Sequence, residues 1–340
     1  MGKSGQPTMK DVARRAGVSL GTVSKVINGI PVGESYRRSV QAAIDALGYQ
    51  INDYARGLKT NKTNCIGLVM PSLKHPFFAA LTDEITACLM RSGYRSLLMI
   101  TNYDPEAERK CFQLVRQNKA DGVIALTYSP IPDMDDSLPV VTIDRHLGPD
   151  VPCVSSDNFR GGELAADKLF ELGARKLLFL RIGPGVPGEA DKRGAGFETR
   201  CRALGVEPVS VRLHDEETEV LFFRFLDDHT RDGVLDFDGI FCNTDSLAVH
   251  VMEHLRSRGV DIPGQVQIIG YDGIRDYATG RCGCSTIEQP VGKMAEAAVR
   301  ILLSGKKQDP YGGVGVNLPV RYVPGGTTRD GSPASPKSDY

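Results

Sequence analysis

The amino-acid sequence predicts an α/β protein that consists of a small all-α head and a larger body with parallel sheets. Residues 8–48 contain three short amphipathic helical patterns in succession. From Cys65 onwards, apolar runs typical of strands alternate with helical stretches, a pattern that indicates parallel sheets covered by helices. The alternating part is long enough for two such subdomains, and a chain of 340 residues can hold more than one domain.

The charge of the chain is divided unevenly between head and body. The formal net charge is −1, yet residues 1–62 carry ten Lys and Arg against four Asp and Glu. Residues 1–62 therefore have a charge of +6 and the remainder one of −7. A compact basic region on an acidic body indicates that only the head binds a polyanion such as nucleic acid.

Composition argues against a secreted, membrane or metal-binding protein. The N-terminus lacks the apolar stretch of a secretory signal, and no apolar run could span a membrane, so we expect a cytoplasmic protein. The eight cysteines are scattered, mostly in apolar runs, as reduced thiols are. Only Cys282 and Cys284 lie close together, and a lone CxC is a weak metal site, so we expect no metal or cofactor.

A glycine turn joins the first two helical patterns of the head. Gly17 can adopt the positive φ of a tight turn, Val18 can fill the core, and Ser19 is a good N-cap for the second helix. A third helix, roughly Glu34 to Leu47, is expected to end at Gly48. This spacing is typical of a helix-turn-helix motif. The exposed face of the second helix carries short polar groups, one cation and no acid, as entry into a DNA major groove requires. That face consists of Leu20, Gly21, Thr22, Ser24, Lys25 and Asn28.

The stretch TMKDVARRAGVSLGTVSKVIN (residues 8–28), followed by ALGY, resembles the lactose-repressor (LacI/GalR) family of transcriptional regulators. The resemblance implies that Leu20, Gly21 and Lys25 read bases, and that Thr22, Ser24 and Asn28 position phosphates. The chain departs from the family pattern in its third helix, with Tyr36 in place of the usual Thr and Gly33 in place of the usual Ser.

The segment from Asn52 to Leu58 resembles the hinge helix of this family, in which paired leucines wedge into the minor groove. Asn52 and Leu58 are therefore candidate DNA contacts. The sequence divides into a head (1–48), a hinge (49–62), a ligand-binding body (63–328) and a polar tail (329–340) that we expect to be disordered. The body is expected to have an N-subdomain of about 63–160 and 288–316, and a C-subdomain of about 161–287 and 317–328.

Polar and aromatic residues follow several predicted strands of the body. In open α/β sheets, ligands bind beyond the carboxyl ends of the strands. Planar bidentate groups and aromatic faces together are suited to the hydroxyls and C–H faces of a sugar. The body also resembles periplasmic sugar-binding proteins, and the two lines of reasoning indicate the same effector-binding candidates. These are His75, Phe77, Phe78, Asp144, Arg145, Asp157, Phe159, Arg193, Thr244, Asp272 and Gln289. Arg193 belongs to an RxxGF motif and Asp272 to GYDG, whereas His75 and Thr244 stand where the family commonly has Asn.

Three other functions compete with that of a regulator. Residues 183–188 form a literal GxGxxG after a strand, but Pro184 and Pro187 interrupt the amide donors that a dinucleotide needs. His250 and His254 form an HxxEH string on one helix face without an evident third ligand. A transport-associated binding protein would need a signal peptide and no basic head. We therefore expect no enzymatic activity.

The resemblance implies a mechanism. A homodimer would bind double-stranded operator DNA at two half-sites, and a small polar effector would close the cleft and change DNA affinity. A sugar is the expected effector, with a purine or a phosphorylated metabolite as the alternative. The tail lacks heptads, so we expect dimers rather than coiled-coil tetramers.

Overall fold

A computed structural model describes residues 7–49, 62–128, 138–214, 217–304 and 315–330 of the chain. The chain divides into two compact units, a head up to Thr63 and a body from Asn64 onwards. Each unit has hydrophobic clusters of its own. The described residues confirm the predicted class, an all-α head and an α/β body.

Three helices form the head, namely α1 (Met9–Ala16), α2 (Leu20–Ile27) and α3 (Glu34–Leu47). Gly17 and Gly48 follow α1 and α3 with left-handed φ values of 67° and 58°, a conformation that costs glycine little because it has no Cβ. The Ser19 hydroxyl accepts a hydrogen bond from the Thr22 amide at 3.1 Å and so caps α2.

One fully buried valine from each helix, Val12, Val23 and Val40, forms the centre of the head. Tyr49 packs against this cluster, and its amide donates to the Ile44 carbonyl at 3.0 Å. The folded head therefore extends one residue beyond the boundary predicted at residue 48.

The body contains two six-stranded sheets. The first comprises β1 (Cys65–Met70), β2 (Arg95–Ile100), β3 (Gly122–Ala125), β4 (Val140–Ile143), β5 (Cys153–Ser156) and β13 (Gly315–Leu318), in the order β13-β5-β4-β3-β1-β2. The second comprises β6 (Leu177–Gly183), β7 (Val209–His214), β10 (Gly239–Cys242), β11 (Gln267–Asp272), β12 (Ser285–Glu288) and β14 (Arg321–Val323), in the order β14-β12-β11-β10-β6-β7. Within these two sheets, all described pairings are parallel except that of β14 with β12. A short hairpin of β8 (Thr230–Arg231) and β9 (Val234–Leu235) stands apart from both sheets.

Helices cover both sheets, so the central strands are buried and read as continuous apolar runs. The first sheet carries α4 (Pro76–Arg91), α5 (Pro105–Gln117) and α10 (Val291–Ser304). The second carries α6 (Asn158–Glu171), α7 (Lys192–Ala203), α8 (Val220–Asp228) and α9 (Asp245–Ser257). A short 3-10 helix, Glu189–Asp191, precedes α7.

The chain passes between the two sheets three times. It crosses between β5 and α6, between β12 and α10, and between β13 and β14. The first crossing therefore precedes residue 158 rather than following residue 160. Glu288 belongs to the second sheet, and Asn317 and Leu318 belong to the first, each opposite to the predicted boundaries. A strand ends where its backbone hydrogen bonds to the neighbouring strand end, and the amino-acid composition does not show where that is.

The start of the predicted tail is part of the fold. The Arg329 guanidinium donates to the carbonyls of Leu172 and Gly264 at 3.2 and 3.0 Å. Asp330 accepts a hydrogen bond from the Tyr322 hydroxyl at 2.9 Å. The prediction of a disordered segment from residue 329 is therefore wrong for its first two residues, and residues 331–340 lie outside the described part.

Candidate functional site

A cavity of about 220 Å³ lies between the C-terminal edges of the two sheets of the body. Its walls come from the segments that follow β1, β2, β3 and β4 on one side, and β6, β7, β10 and β11 on the other. Eight of the eleven predicted effector residues line it, namely His75, Phe77, Phe78, Asp144, Arg145, Arg193, Thr244 and Asp272. Parallel strands direct their carboxyl ends to one edge, and this brings together residues that are far apart in sequence.

Arg193 occupies the centre of the polar network. It lies in the first turn of α7 and is only 4% exposed. Its Nε donates to Asn158 Oδ1 at 2.7 Å, and its Nη1 donates to the Asn243 carbonyl at 2.8 Å and lies 3.5 Å from Asp272 Oδ1. Its guanidinium group also lies over the Tyr271 ring. These contacts hold a buried cation in a single orientation.

Asp272 ends β11 in a backbone conformation that L-residues rarely adopt, with φ 122°. Gln289 Nε2 donates to its Oδ1 at 2.8 Å, whereas its buried Oδ2 has no hydrogen-bond partner among the described residues. Asp245 supports the strained turn, because its Oδ2 accepts from the amides of Gly273 and Ile274, each at 2.8 Å. Burial raises the pKa of Asp272 above its usual range, although Arg193 acts to lower it.

A second cavity carboxylate, Asp144, shares these features. It follows β4 with a left-handed φ of 53°, and its buried Oδ1 has no hydrogen-bond partner among the described residues. Burial raises the pKa of Asp144 to about 6, against the lowering effect of Arg193. Two carboxylates on strained backbone therefore present unsatisfied oxygens at one cavity, as expected of a ligand site.

His75 faces Asp272 from the first sheet. It is the N-cap of α4, and its Nε2 lies 3.9 Å from Asp272 Oδ2. Its ring lies 4.8 Å from that of Phe78, and its buried Nδ1 has no described partner. Burial and the nearby Arg193 lower the pKa of His75 to about 4. The imidazole is therefore neutral at pH 7 and can both donate and accept a hydrogen bond.

The other two cations of the cavity also make contacts within the protein. Arg181 forms an ion pair with Asp191 at 2.7 Å and donates to the Pro184 carbonyl at 2.9 Å. Arg145 Nη1 donates to the Thr127 carbonyl at 3.2 Å. All three guanidinium groups at the cavity are thus already engaged by protein oxygens.

Three predicted effector residues are not among those that line the cavity. Asp157 caps α6 by accepting from the Arg160 amide at 3.1 Å. Phe159 is 38% exposed, on the first turn of the same helix. Gln289 is 2% exposed and bridges Asp272 to the Ser156 hydroxyl, which donates to its Oε1 at 2.6 Å. Asp157 and Phe159 lie at the first crossing between the sheets and Gln289 at the second, so they connect the subdomains rather than form the cavity wall.

Other residues of the cavity wall were missed from the sequence. They include Tyr103, Thr127, Tyr128, Arg181, Asp191, Glu219, Asn243 and Ser246. Most follow a strand of the sheets, so the rule of strand ends could have found them. Tyr103 has a left-handed φ of 62°, and its ring lies 5.6 Å from that of Tyr128.

In the head, α2 presents the predicted reading face. Leu20 is 43% exposed, and Gly21 and Lys25 are exposed as well. Asn28 Nδ2 donates to the Ser24 carbonyl at 2.8 Å, and the hydroxyls of Ser19 and Thr22 are hydrogen-bonded at 2.9 Å. These hydrogen bonds fix the orientation of the polar side chains on this face of α2. Asn52 and Leu58 of the hinge lie outside the described residues.

The structure gives the enzyme-like motifs other roles. His250 pairs with Glu219 at 2.7 Å and His254 with Asp227 at 2.9 Å, so both imidazoles bind carboxylates associated with α8. Gly183, Pro184 and Gly188 of the GxGxxG string form part of the cavity wall. Within the described ranges, His, Cys, Asp and Glu side chains form no group of three that could hold a metal ion. None of the helices described is long and apolar enough to cross a membrane.

Family comparisons agree with this architecture. Residues 63–302 match the family described as periplasmic binding proteins and sugar binding domain of LacI family, and residues 8–52 match bacterial regulatory proteins, lacI family. The chain belongs to the LacI family. It is a DNA-binding transcriptional repressor with a sugar-binding type of body, and the family is one of regulators rather than enzymes. The predictions of family and function class are thereby confirmed.

Relatives and solved structures match nearly the whole chain. A ribose operon repressor from Halalkalibacterium halodurans is 31% identical over 95% of this chain and 98% of its own length. A sucrose operon repressor from Pediococcus pentosaceus is 33% identical over 88% and 92%. The lac repressor dimer bound to operator and the anti-inducer ONPF has a TM-score of 0.81 at 21% identity over 95% and 99%, which shows a shared fold. A LacI-type protein from Alkaliphilus metalliredigens complexed with D-xylulofuranose has a TM-score of 0.65 at 29% identity over 78% and 99%.

Proposed function

We propose that this LacI-family protein binds operator DNA as a homodimer through α2, and that an uncharged sugar in the cavity of the body changes its affinity for the operator. The observation that carries the effector part is the set of unsatisfied buried atoms at the cavity, His75 Nδ1, Asp144 Oδ1 and Asp272 Oδ2. Buried polar atoms without partners are rare, and here they come from both sheets. A ligand that bonds all three would stabilise the closed arrangement of the two subdomains.

The chemistry of the cavity favours a polyhydroxylated, uncharged ligand. Each sugar hydroxyl can donate to a carboxylate oxygen and accept from an imidazole N–H or a guanidinium group. Phe77 and Phe78 supply apolar surface for a C–H face. A phosphate would need an unpaired cation, whereas Arg181 and Arg193 form ion pairs with Asp191 and Asp272 and Arg145 donates to the Thr127 carbonyl. Asp144, whose pKa is about 6, is ionised at pH 7 and would repel an anion.

The names of the relatives support a sugar. Two are repressors of ribose and sucrose operons, and one structural neighbour is complexed with D-xylulofuranose. A purine or a phosphorylated metabolite is the alternative effector to be tested.

A second copy of the chain is the proposed partner of the body. The edge strand β2 exposes Leu98 and Ile100, which are 40% and 37% accessible, and an exposed apolar edge strand calls for a partner. The structure of the lac repressor with operator is that of a dimer. Two heads related by a two-fold axis fit a near-palindromic operator. Because the protein acts on DNA, we also propose that it is located in the cytoplasm.

A thermal-shift screen tests the effector assignment. The purified chain is heated with pentoses, hexoses, disaccharides, purines and sugar phosphates, because a ligand that binds only the folded state raises Tm. We expect a shift with an uncharged sugar, lost in Asp144→Asn and retained in the matched control Asp150→Asn, an exposed aspartate after the same strand. The sugar is then added to an operator-binding assay, where a change in DNA affinity is expected. A response to purines or sugar phosphates alone would contradict the uncharged-sugar assignment.

A further inference from the structure

A glycine in the proposed DNA-reading helix has no structural reason to be one. Gly21 is helical, its φ is not positive, and a Cβ built there meets only Ser19 Oγ, at an ordinary 3.6 Å. Neither backbone strain nor close packing therefore requires glycine at this position. Glycine also disfavours a helix relative to alanine. The missing side chain instead leaves space on the surface that faces DNA.

That space is part of a concave surface shared by two helices. It is lined by Thr8, Met9 and Lys10 from the start of α1, and by Leu20, Gly21, Ser24 and Lys25 from α2. The side-chain ammonium groups of Lys10 and Lys25 have no hydrogen-bond or ion-pair partner among the residues whose placement is described. The other cations of α1 differ, since Arg14 pairs with Asp11 at 3.3 Å and Arg15 is not part of the concave surface.

We propose that Lys10 reads a base edge of the operator through the space that Gly21 leaves open. The inference rests on the proposed binding of operator DNA by α2. An ammonium group donates to guanine O6 and N7, the commonest specific contact of lysine in the major groove. Leu20 offers only apolar contact, which suits a thymine methyl, and Gly21 offers no side chain. The readout of each half-site is then divided between α1 and α2.

Binding-site selection from a randomised duplex library tests this role. The wild-type full-length chain and Lys10→Ala are selected in parallel, with Arg15→Ala as the matched control for an exposed α1 cation outside the concave surface. We expect Lys10→Ala to lose about tenfold of base discrimination at one symmetric pair of positions and to keep the remaining consensus. Arg15→Ala should keep the whole consensus. An unchanged consensus with uniformly weaker binding by Lys10→Ala would show a phosphate contact and overturn the proposal.

Gly21→Gln provides an independent measurement. The added side chain fits, because the position is open, and it occupies the space that Lys10 is proposed to use. We expect a new base preference at the same pair of positions that Lys10→Ala affects, with a melting temperature of the protein no lower than that of the wild type. The wild-type consensus retained in Gly21→Gln would contradict the proposal. If selection with the wild-type protein enriches no sequence from the library, operator recognition itself is refuted. That outcome differs from an unchanged consensus in Lys10→Ala or in Gly21→Gln.

Discussion

The guanidinium carbon of Arg193 lies 3.7 Å from the centre of the Tyr271 ring, and both side chains are buried. A guanidinium group can stack on an aromatic face while its edge donates hydrogen bonds, whereas an ammonium group cannot do both. We therefore expect Arg193→Lys to lower the free energy of unfolding by about 1–3 kcal/mol and to abolish the thermal shift with the effector. Chemical denaturation measures the first effect, with the exposed Arg202→Lys as the control. Retained effector binding in Arg193→Lys would contradict the central role of this residue.

The pH dependence of stability should have opposite signs for His75 and Asp144. The pKa of His75 is lowered from 6.5 to about 4, so the unfolded state holds a proton that the folded state lacks between these values. This group makes the free energy of unfolding rise with pH in that interval. The pKa of Asp144 is raised from 3.8 to about 6, so the folded state holds the extra proton and stability falls with rising pH.

Single variants separate the two effects. Asp144→Asn keeps the titration of His75, and His75→Gln keeps that of Asp144. The free energy of unfolding of Asp144→Asn relative to that of His75→Gln should therefore increase from about pH 4 to pH 6. Urea unfolding of both variants across this range measures the difference. Parallel profiles of the two variants would show that the opposing titrations do not occur.

Two close glycine contacts bring α6 and α7 together and place Arg193. A Cβ on Gly196 would lie 2.0 Å from the Phe159 carbonyl oxygen, and one on Gly162 would lie 1.9 Å from that of Arg193. Backbone atoms cannot move aside cheaply, so we expect Gly196→Ala to destabilise the body by roughly 2–4 kcal/mol and to weaken effector binding. Gly148→Ala is the matched control, because nothing lies within 4 Å of its added Cβ. Equal melting temperatures for the two variants would contradict the packing argument.

Lys25 should contribute to operator affinity through its charge and its contact with a base. We expect Lys25→Ala to weaken binding by about 1–3 kcal/mol and to relax the preference at one position of each half-site. DNA affinity of the wild type should fall steeply with salt, since each phosphate contact releases counterions. Titrations at several salt concentrations test both points, with Lys293→Ala on the exposed surface of the body as the control. An unaltered consensus in Lys25→Ala would mean that α2 is not the reading helix.

Local features of the sequence were sufficient for the elements of the head. Gly17, Ser19 and Gly48 mark the ends of the helices because a left-handed turn and an N-cap depend on one or two neighbouring residues. The alternation of apolar runs and helical stretches similarly predicted the parallel sheets. Family membership and function class could also be predicted, because the helix-turn-helix pattern is contiguous in the chain.

The candidate site was only partly predictable. Asp144, Arg193 and Asp272 could be selected because they directly follow strands or open a helix. Gln289 was selected on the same reasoning, yet it donates to Asp272 without lining the cavity. The position of a residue after a strand does not specify the direction of its side chain. Glu219 was missed because its place in the wall depends on distant segments that pack beside it.

The sequence by itself determined where helices and strands form, which sheets are parallel, which end of the chain binds DNA and which strand ends carry polar groups. These properties depend on neighbours within a few residues and on apolar periodicity. Only the tertiary structure decided that Arg193 is paired by Asn158, Asn243 and Tyr271, and that buried atoms of His75, Asp144 and Asp272 face one cavity without partners. The reason is that the chain crosses three times between two sheets, so the site is assembled from both, and its hydrogen bonds depend on distances between segments that no local pattern specifies.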